Sequence, residues 1–352
     1  MRKIFLYEVV LREGDEAPGF ALSPRQKVEI AHHLVDMGVN TIEVGFPANR
    51  DHDYSSVKEI SISLRGVEVS ALARIKNKDI ESAVDALDKA ETPVIFTFCP
   101  GIDSRLEVCN LSESQAIDQT GDAVRLARQH IDHVAYGVEF TPESYQNKRE
   151  FMRILYTTAL AAGATRLVIC DSSGCMLPRQ SFELANWIKT NIKGDYRLVM
   201  HSHNDLSNAV QNSVEGIFAG VDEIHVAALG LGERAGNTDL AALSAALSVH
   251  QDLLEVITDL NYTQVIPSIH RIAEIFGYII PPNTPVVGRN AFATQAGIHI
   301  ASRGANGGDP FLRVLPGLYG VDPSYYSGPH SGKYNKGPRL PNPKDRDATT
   351  FP

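Results

Sequence analysis

Apolar residues recur along this chain in two rhythms. Short runs rich in β-branched and aromatic residues cover 4–10, 41–46, 67–73, 93–99, 133–140, 166–170, 197–203 and 223–229, and each reads as a strand. Between them lie longer stretches at helical spacing. In "SPRQKVEIAHHLVDMG", Ser23 caps a helix, Pro24 suits its first turn and Gly38 stops it. The stretches "SESQAIDQTGDAVRLARQH" and "LSNAVQNSVEGIFAG" repeat the pattern. Strict alternation of this kind predicts parallel strands joined by helices. Eight strand candidates over residues 1–260 favour a closed (β/α)8 TIM barrel, with an open doubly wound sheet as the alternative.

Past residue 260 the pattern changes. A helical stretch, "YTQVIPSIHRIAEIFG", leads into the Pro-rich "IIPPNTP" and a Gly-rich segment, so 261–333 reads as a small, mainly helical satellite subdomain. The remainder, 334–352, is polar and Pro-rich and reads as a tail that is disordered or ordered only by a partner.

Composition narrows the function classes. With 33 basic against 42 acidic residues and no basic cluster, a mainly electrostatic nucleic-acid binder is not expected. Cys99, Cys109, Cys170 and Cys175 form no C-x-x-C pair, so neither a disulfide framework nor a zinc ribbon is expected. The apolar start is broken by Glu8, and no run is long enough to span a membrane. The expectation is a soluble cytoplasmic protein.

In a barrel, the C-terminal ends of the strands face the active-site mouth, so chemistry is sought there. "HSHND" ends the seventh strand. Alternate residues of a strand share a face, which sets His201 and His203 about 6–7 Å apart on one side. "GLGERAGN" follows the eighth strand and brings Glu233, Arg234 and Asn237 near the mouth on a glycine-rich path. "LREG" follows the first. Closing the barrel puts strands seven, eight and one side by side, so Glu13, His201, His203 and Asn237 converge as ligands for one divalent ion, Mg²⁺, Mn²⁺ or Zn²⁺. Arg12 beside them suits stabilisation of a developing enolate or alkoxide, and a salt bridge to Glu43 across the mouth is equally compatible with its position.

Taken in order, "LREG", "IEVGFP", "HSHNDL", "GLGERAGN" and "AGIH" resemble the DRE-TIM metallolyases, in the isopropylmalate and homocitrate synthase branch, from about residue 3 to 333. The resemblance implies a Claisen condensation: acetyl-CoA, as co-substrate, adds to the ketone of a chelated 2-oxo acid, and hydrolysis releases CoA. It also implies a homodimer in which His299 of the satellite subdomain reaches the other subunit's site and joins the acid/base work. Glu143 matches the family's catalytic glutamate. Thr141 and Ser172 match its substrate-contacting hydroxyls.

The chain departs from the pattern in places. Isopropylmalate synthases read L-R-D-G-E-Q where this chain has "LREGDE"; Glu13 keeps an oxygen ligand, and Glu16 adds a charge where glutamine is usual. Glu139 stands where lysine-pathway homocitrate synthases carry an arginine for the distal carboxylate of 2-oxoglutarate, which argues against that substrate. Arg105, together with Arg74, is the candidate contact for an anionic or polar group on a different 2-oxo acid. Phe311 replaces a frequent tyrosine, and the chain stops before the long regulatory domain of leucine-inhibited synthases, so feedback through such a domain is not expected. Two other functions fit the motifs: a metal-dependent lyase or aldolase of the hydroxymethylglutaryl-CoA lyase type, and a non-catalytic dimeric relative.

Overall fold

The computed structural model describes residues 1–302 and 309–334, so the tail expected over 334–352 lies, apart from Tyr334, outside the described residues. Eight parallel strands close into a barrel: β1 (Phe5–Glu8), β2 (Thr41–Gly45), β3 (Glu68–Arg74), β4 (Thr92–Pro100), β5 (His133–Glu139), β6 (Arg166–Asp171), β7 (Arg197–Ser202) and β8 (Glu223–Val226). Closure is direct, with Phe5 through Glu8 paired to Glu223 through Val226. The open-sheet alternative is thereby excluded.

One long helix follows each strand: α1 (Pro24–Asp36), α2 (Asp51–Ser63), α3 (Asn77–Ala86), α4 (Glu113–Arg128), α5 (Arg149–Ala161), α6 (Pro178–Asn191), α7 (Ala209–Phe218) and α8 (Leu240–Val249). Reciprocal caps start two of them. Ser23 accepts from the Gln26 amide N–H while Gln26 accepts from the Ser23 N–H, and Ser112 and Gln115 repeat the exchange.

Two apolar layers follow from strand alternation. Residues facing outward, such as Leu6, Ile42, Val69 and Leu198, meet helix residues such as Ile30, Leu34 and Ile188. Those facing inward include Leu72, Phe96, Ala135, Val168, Cys170 and Val199, which pack the barrel lumen. Beneath them, fully buried Arg166 is paired with Glu68 and Glu223, making the barrel floor ionic.

Two strands are shorter than the apolar runs suggest, and one side chain explains both ends. Glu8 Oε1 accepts from the Val10 N–H at 2.9 Å and from the Ala228 N–H at 3.0 Å. β1 therefore ends at Glu8 and runs into a wide helical turn, Val10–Gly14, while β8 gives way to the turn Ala228–Gly230. Both turns lie at the mouth.

Beyond the barrel, α9 (Tyr262–Phe276) packs on α1. Short elements follow: Ala293–Thr294 pairs with Ser324–Tyr325, flanking the helix Gly297–Ala301, and Tyr319 is tied to Ser244 of α8 by a 2.9 Å hydrogen bond. Ile279, Ile298, Phe311 and Leu315 of this region face solvent. Among the described residues no helix is long and apolar enough to cross a membrane, and all four cysteines are free thiols.

Candidate active site

Four adjacent staves build the site. The turn after β1 carries Arg12 and Glu13, β2 carries Glu43, β7 and its end carry His201 and His203, and the loop after β8 carries Asn237. One ligand atom from each of Glu13, His201 and His203 lies within 4.8 Å of the others. His201 Nε2 is 3.4 Å from Glu13 Oε1 and 3.4 Å from His203 Nε2. The Asn237 amide reaches His201 Nε2 at 3.5 Å.

The protonation states suit a cation. Burial is the largest influence on the Glu13 carboxyl and pushes it up, but the Arg12 guanidinium at 2.7 Å together with His201 and His203 outweighs it and holds the group at about 2, so it is ionised. Burial pushes His201 down to about 3 and lowers His203 as well, leaving both imidazoles neutral with lone pairs to offer. Arg12 meets three carboxylates: it donates to Glu43 and pairs with Glu13 and, at 3.3 Å, with Glu16. Burial pushes the Glu43 and Glu16 carboxyls up, so Glu13 is the carboxylate of this group held ionised to meet a divalent ion.

Asn237 fits the donor set through its orphaned oxygen. Its Oδ1 is buried with no partner while Nδ2 faces His201, so turning the amide about its last bond aims an oxygen at the imidazoles. Gly232 makes room for it, since a Cβ there would stand 1.9 Å from Asn237 Oδ1. Gly236 has φ +86°, the left-handed turn that delivers Asn237. A second group, Asp15, His52 and Asp53, is also compact. It is already neutralised, because the buried Lys27 ammonium and Arg50 pair with both carboxylates.

Above the donors opens a pocket of about 340 Å³ lined by Arg12, Glu13, His201, His203, Arg105, Glu139, Ser172 and Arg234, with Leu72, Phe96, Phe98 and Cys170 as its apolar wall. Arg105 is paired with Glu139 there at 3.3 Å. Glu43 and Asn237 lie buried beneath.

Besides Glu43 and Asn237, four further expected residues are not among this lining. Arg74 is bound to Asp79 at 2.6 Å and lies over the Phe46 ring. Thr141 is fully buried, donating to the Val138 carbonyl at 2.5 Å and accepting from the Cys170 N–H at 2.9 Å, so backbone takes up both roles of its hydroxyl. Glu143 sits on the short helix Thr141–Asn147 that follows β5, where Oε1 accepts from Ser173 Oγ at 2.7 Å and buried Oε2 has no partner. His299 stacks on Phe311 in the satellite region, with ring centroids 3.9 Å apart.

Tyr7, Asp171 and His225 escape a reading of motifs. His225 Nδ1 stands 3.2 Å from His201 Nδ1, and its ring stacks on Tyr7 at 4.0 Å. Tyr7 is hydrogen-bonded in turn to Glu43 and Ser70. For Tyr7 and His225 the available signal is position, since each lies on a barrel strand in phase with inward-facing neighbours, whereas Asp171 ends β6 out of phase with Val168 and Cys170. Asp171 is buried beside Glu143 at the end of β6, and burial pushes its carboxyl up to about 6.

One carboxylate and two imidazoles at the C-terminal mouth of a closed parallel barrel, with an arginine beside them and an amide below, make the chain a TIM barrel with a candidate divalent-metal site. Comparison with known proteins agrees. The HMGL-like family model matches residues 3–272, and the chain belongs to that family, in its 2-isopropylmalate synthase branch. It is 32% identical over 337 residues to 2-isopropylmalate synthase of Shouchella clausii, covering 95% of this chain and 65% of that one. It is 35% identical over 301 residues to the Pyrococcus furiosus enzyme, covering 85% and 60%. The chain thus spans less than two thirds of the length of these relatives. Among solved structures, HMG-CoA lyase of Bacillus subtilis shares the fold with a TM-score of 0.69 at 16% identity, covering 83% of this chain and 97% of that one. Hydroxymethylglutaryl-CoA lyase from Pseudomonas aeruginosa shares it at 0.67 and 19%, covering 79% and 94%.

Proposed function

We propose that the protein condenses the acetyl group of acetyl-CoA with a 2-oxo acid to give a 2-alkylmalate or homocitrate-type product. The reading is carried by the ionised Glu13 and neutral His201 and His203 gathered within 4.8 Å beside buried Arg12, in a chain whose sequence relatives are named 2-isopropylmalate synthase.

Glu13, His201, His203 and Asn237 would hold a divalent cation, which supplies Lewis-acid polarisation of the ketone when bound. Glu143, half-buried and aligned by Ser173, takes a proton from the acetyl methyl group. The carbanion so formed attacks the ketone carbon, a C–C bond forms, and the ketone π pair moves to oxygen. Arg12 stabilises that alkoxide by a charge-assisted hydrogen bond, its orientation fixed by Glu43. His299 of a second subunit returns a proton to it, and water then cleaves the thioester, releasing CoA and a carboxylate. Arg105 and Ser172 meet the variable end of the 2-oxo acid. Exposed Ile279, Ile298 and Leu315 of the same satellite region support a second copy as the surface that covers them.

The lyase alternative uses the same cluster to break the bond that the synthase makes. Sequence favours the synthase, because the named synthases stand at 32% and 35% identity whereas the lyases share the fold at 16% and 19%. The test is incubation with Mn²⁺, acetyl-CoA and a panel of 2-oxo acids, reading free thiol and product mass. The expected result is thiol release matched by a product one acetate unit heavier than one of the acids. Acetyl-CoA left intact with every acid, together with cleavage of a 3-hydroxyacyl-CoA supplied in a parallel incubation, would overturn it.

A further inference from the structure

Fully buried His225 has no task in the reaction above, yet it is the only side chain that meets the rear nitrogen of His201 among the hydrogen bonds described. The two ring nitrogens of His201 face different ways. Nε2 looks toward Glu13, His203 and Asn237, all within 3.5 Å, and Nδ1 looks toward His225 Nδ1 at 3.2 Å.

We propose that His225 is a positioning residue that accepts the Nδ1–H of His201 and so keeps the Nε2 lone pair of His201 turned toward the cation site; the inference rests on the metal-site reading above. A neutral imidazole carries one proton on two nitrogens, so a hydrogen bond at one nitrogen decides what the other offers. With the His201 proton on Nδ1, Nε2 is a lone pair. The reverse arrangement, in which His225 donates, sets a proton on Nε2 among the ligands and blocks them.

The surroundings hold His225 in place for that task. Its ring lies nearly parallel to Tyr7, 19° between planes, and meets Phe96 edge-on with centroids 5.5 Å apart. β1 and β8 are in register at this pair, Tyr7 against His225. In this arrangement the His225 proton sits on Nε2, which is buried without a hydrogen-bond partner, so holding the ring this way costs an unpaired donor. The contacts then form a circuit: Arg12 holds Glu43 and Glu13, Glu43 holds Tyr7, Tyr7 stacks on His225, His225 meets His201, and His201 returns to Glu13.

Mn²⁺ affinity, read by competition with a fluorescent chelator, tests this together with nitrogen-15 histidine spectra of the Zn²⁺-loaded protein. His225→Phe keeps an aromatic ring against Tyr7 and removes the acceptor, and it is expected to weaken Mn²⁺ binding by roughly 10–100-fold with a near-native melting temperature. His225→Asn puts an amide oxygen near the Nδ1 position and is expected to recover most of that loss. In the wild type the His201 proton is expected on Nδ1. Wild-type Mn²⁺ affinity in a folded His225→Phe variant, or a His201 proton on Nε2 in the loaded wild type, overturns the proposal alone. A wild type with no Mn²⁺ affinity overturns the metal site and the proposal together.

Discussion

Arg12 faces three carboxylates, and the residue most exposed to a change there is Glu13. Glu13→Gln removes the charge that both Arg12 and the cation oppose while keeping the side-chain shape. The purified variant is expected to carry divalent metal at background level by elemental analysis, with an unchanged far-ultraviolet spectrum. A variant that retains wild-type metal content would show that Glu13 is no ligand. Glu8 offers a different test. Burial pushes its carboxyl up from 4.5 to about 8, so the folded state binds a proton that the unfolded state has released. That contribution is fully present below pH 4.5 and is lost as pH rises through about 8. Glu8→Gln keeps an acceptor for Val10 and Ala228 and cannot ionise. Its melting temperature relative to wild type is expected to improve between pH 5 and 9, as scanning calorimetry at intervals through that range will show. At this scale Glu13, His201 and His203 were legible because each ends a recognisable apolar run. His225 and Tyr7 were not, because their importance depends on register between β1 and β8. No motif records register.

Strands and helices came through the apolar pattern nearly intact, and misplacements fall where side chains compete with the ladder. Val9 and Val10 have strand-forming side chains, yet the Glu8 carboxyl group draws the chain into a turn. Thr141 was legible as a polar residue at a strand end but not as a cap for backbone, since the groups it serves come from β5 and β6. The loop after β8 shows how closely the elements constrain the site. Gly232→Ala would drive a methyl into Asn237 Oδ1, 1.9 Å away. Displacing that amide is expected to cost roughly tenfold in Mn²⁺ affinity, measured by chelator competition, while leaving the barrel folded. At the opposite end of the strands, Arg166 ties β6 to β3 and β8 through Glu68 and Glu223. Arg166→Met leaves two carboxylates at the floor with their shared cation gone, a loss of about 3–5 kcal/mol in urea unfolding at pH 7. The deficit shrinks as pH falls and the carboxyls protonate.

Alternation over 260 residues dictated a barrel, and closure supplied what no local pattern holds: contact between the first stave and the last two. The satellite region was less legible, because past α9 it is built from two-residue strands and single turns whose partners are distant in sequence. Its purpose depends on a question of assembly. His299 stacks on Phe311 on its own subunit and is not part of that subunit's pocket lining, whereas the proposed chemistry calls for it at a site. If a second copy supplies it, Glu13 and His299 at any one site belong to different chains. Glu13→Gln and His299→Ala homodimers are then both expected to be inactive. In a mixed dimer one site carries both substitutions and the other carries neither, so random exchange of equal amounts restores about a quarter of wild-type activity. If His299 instead served its own chain, every site in the mixture would carry one substitution and no activity would return. Thiol release from acetyl-CoA before and after subunit exchange, with sedimentation to verify the dimer, separates the two arrangements. An unrecovered mixture of verified heterodimers would remove His299 from the partner's site while leaving the metal cluster of Glu13, His201 and His203 untouched.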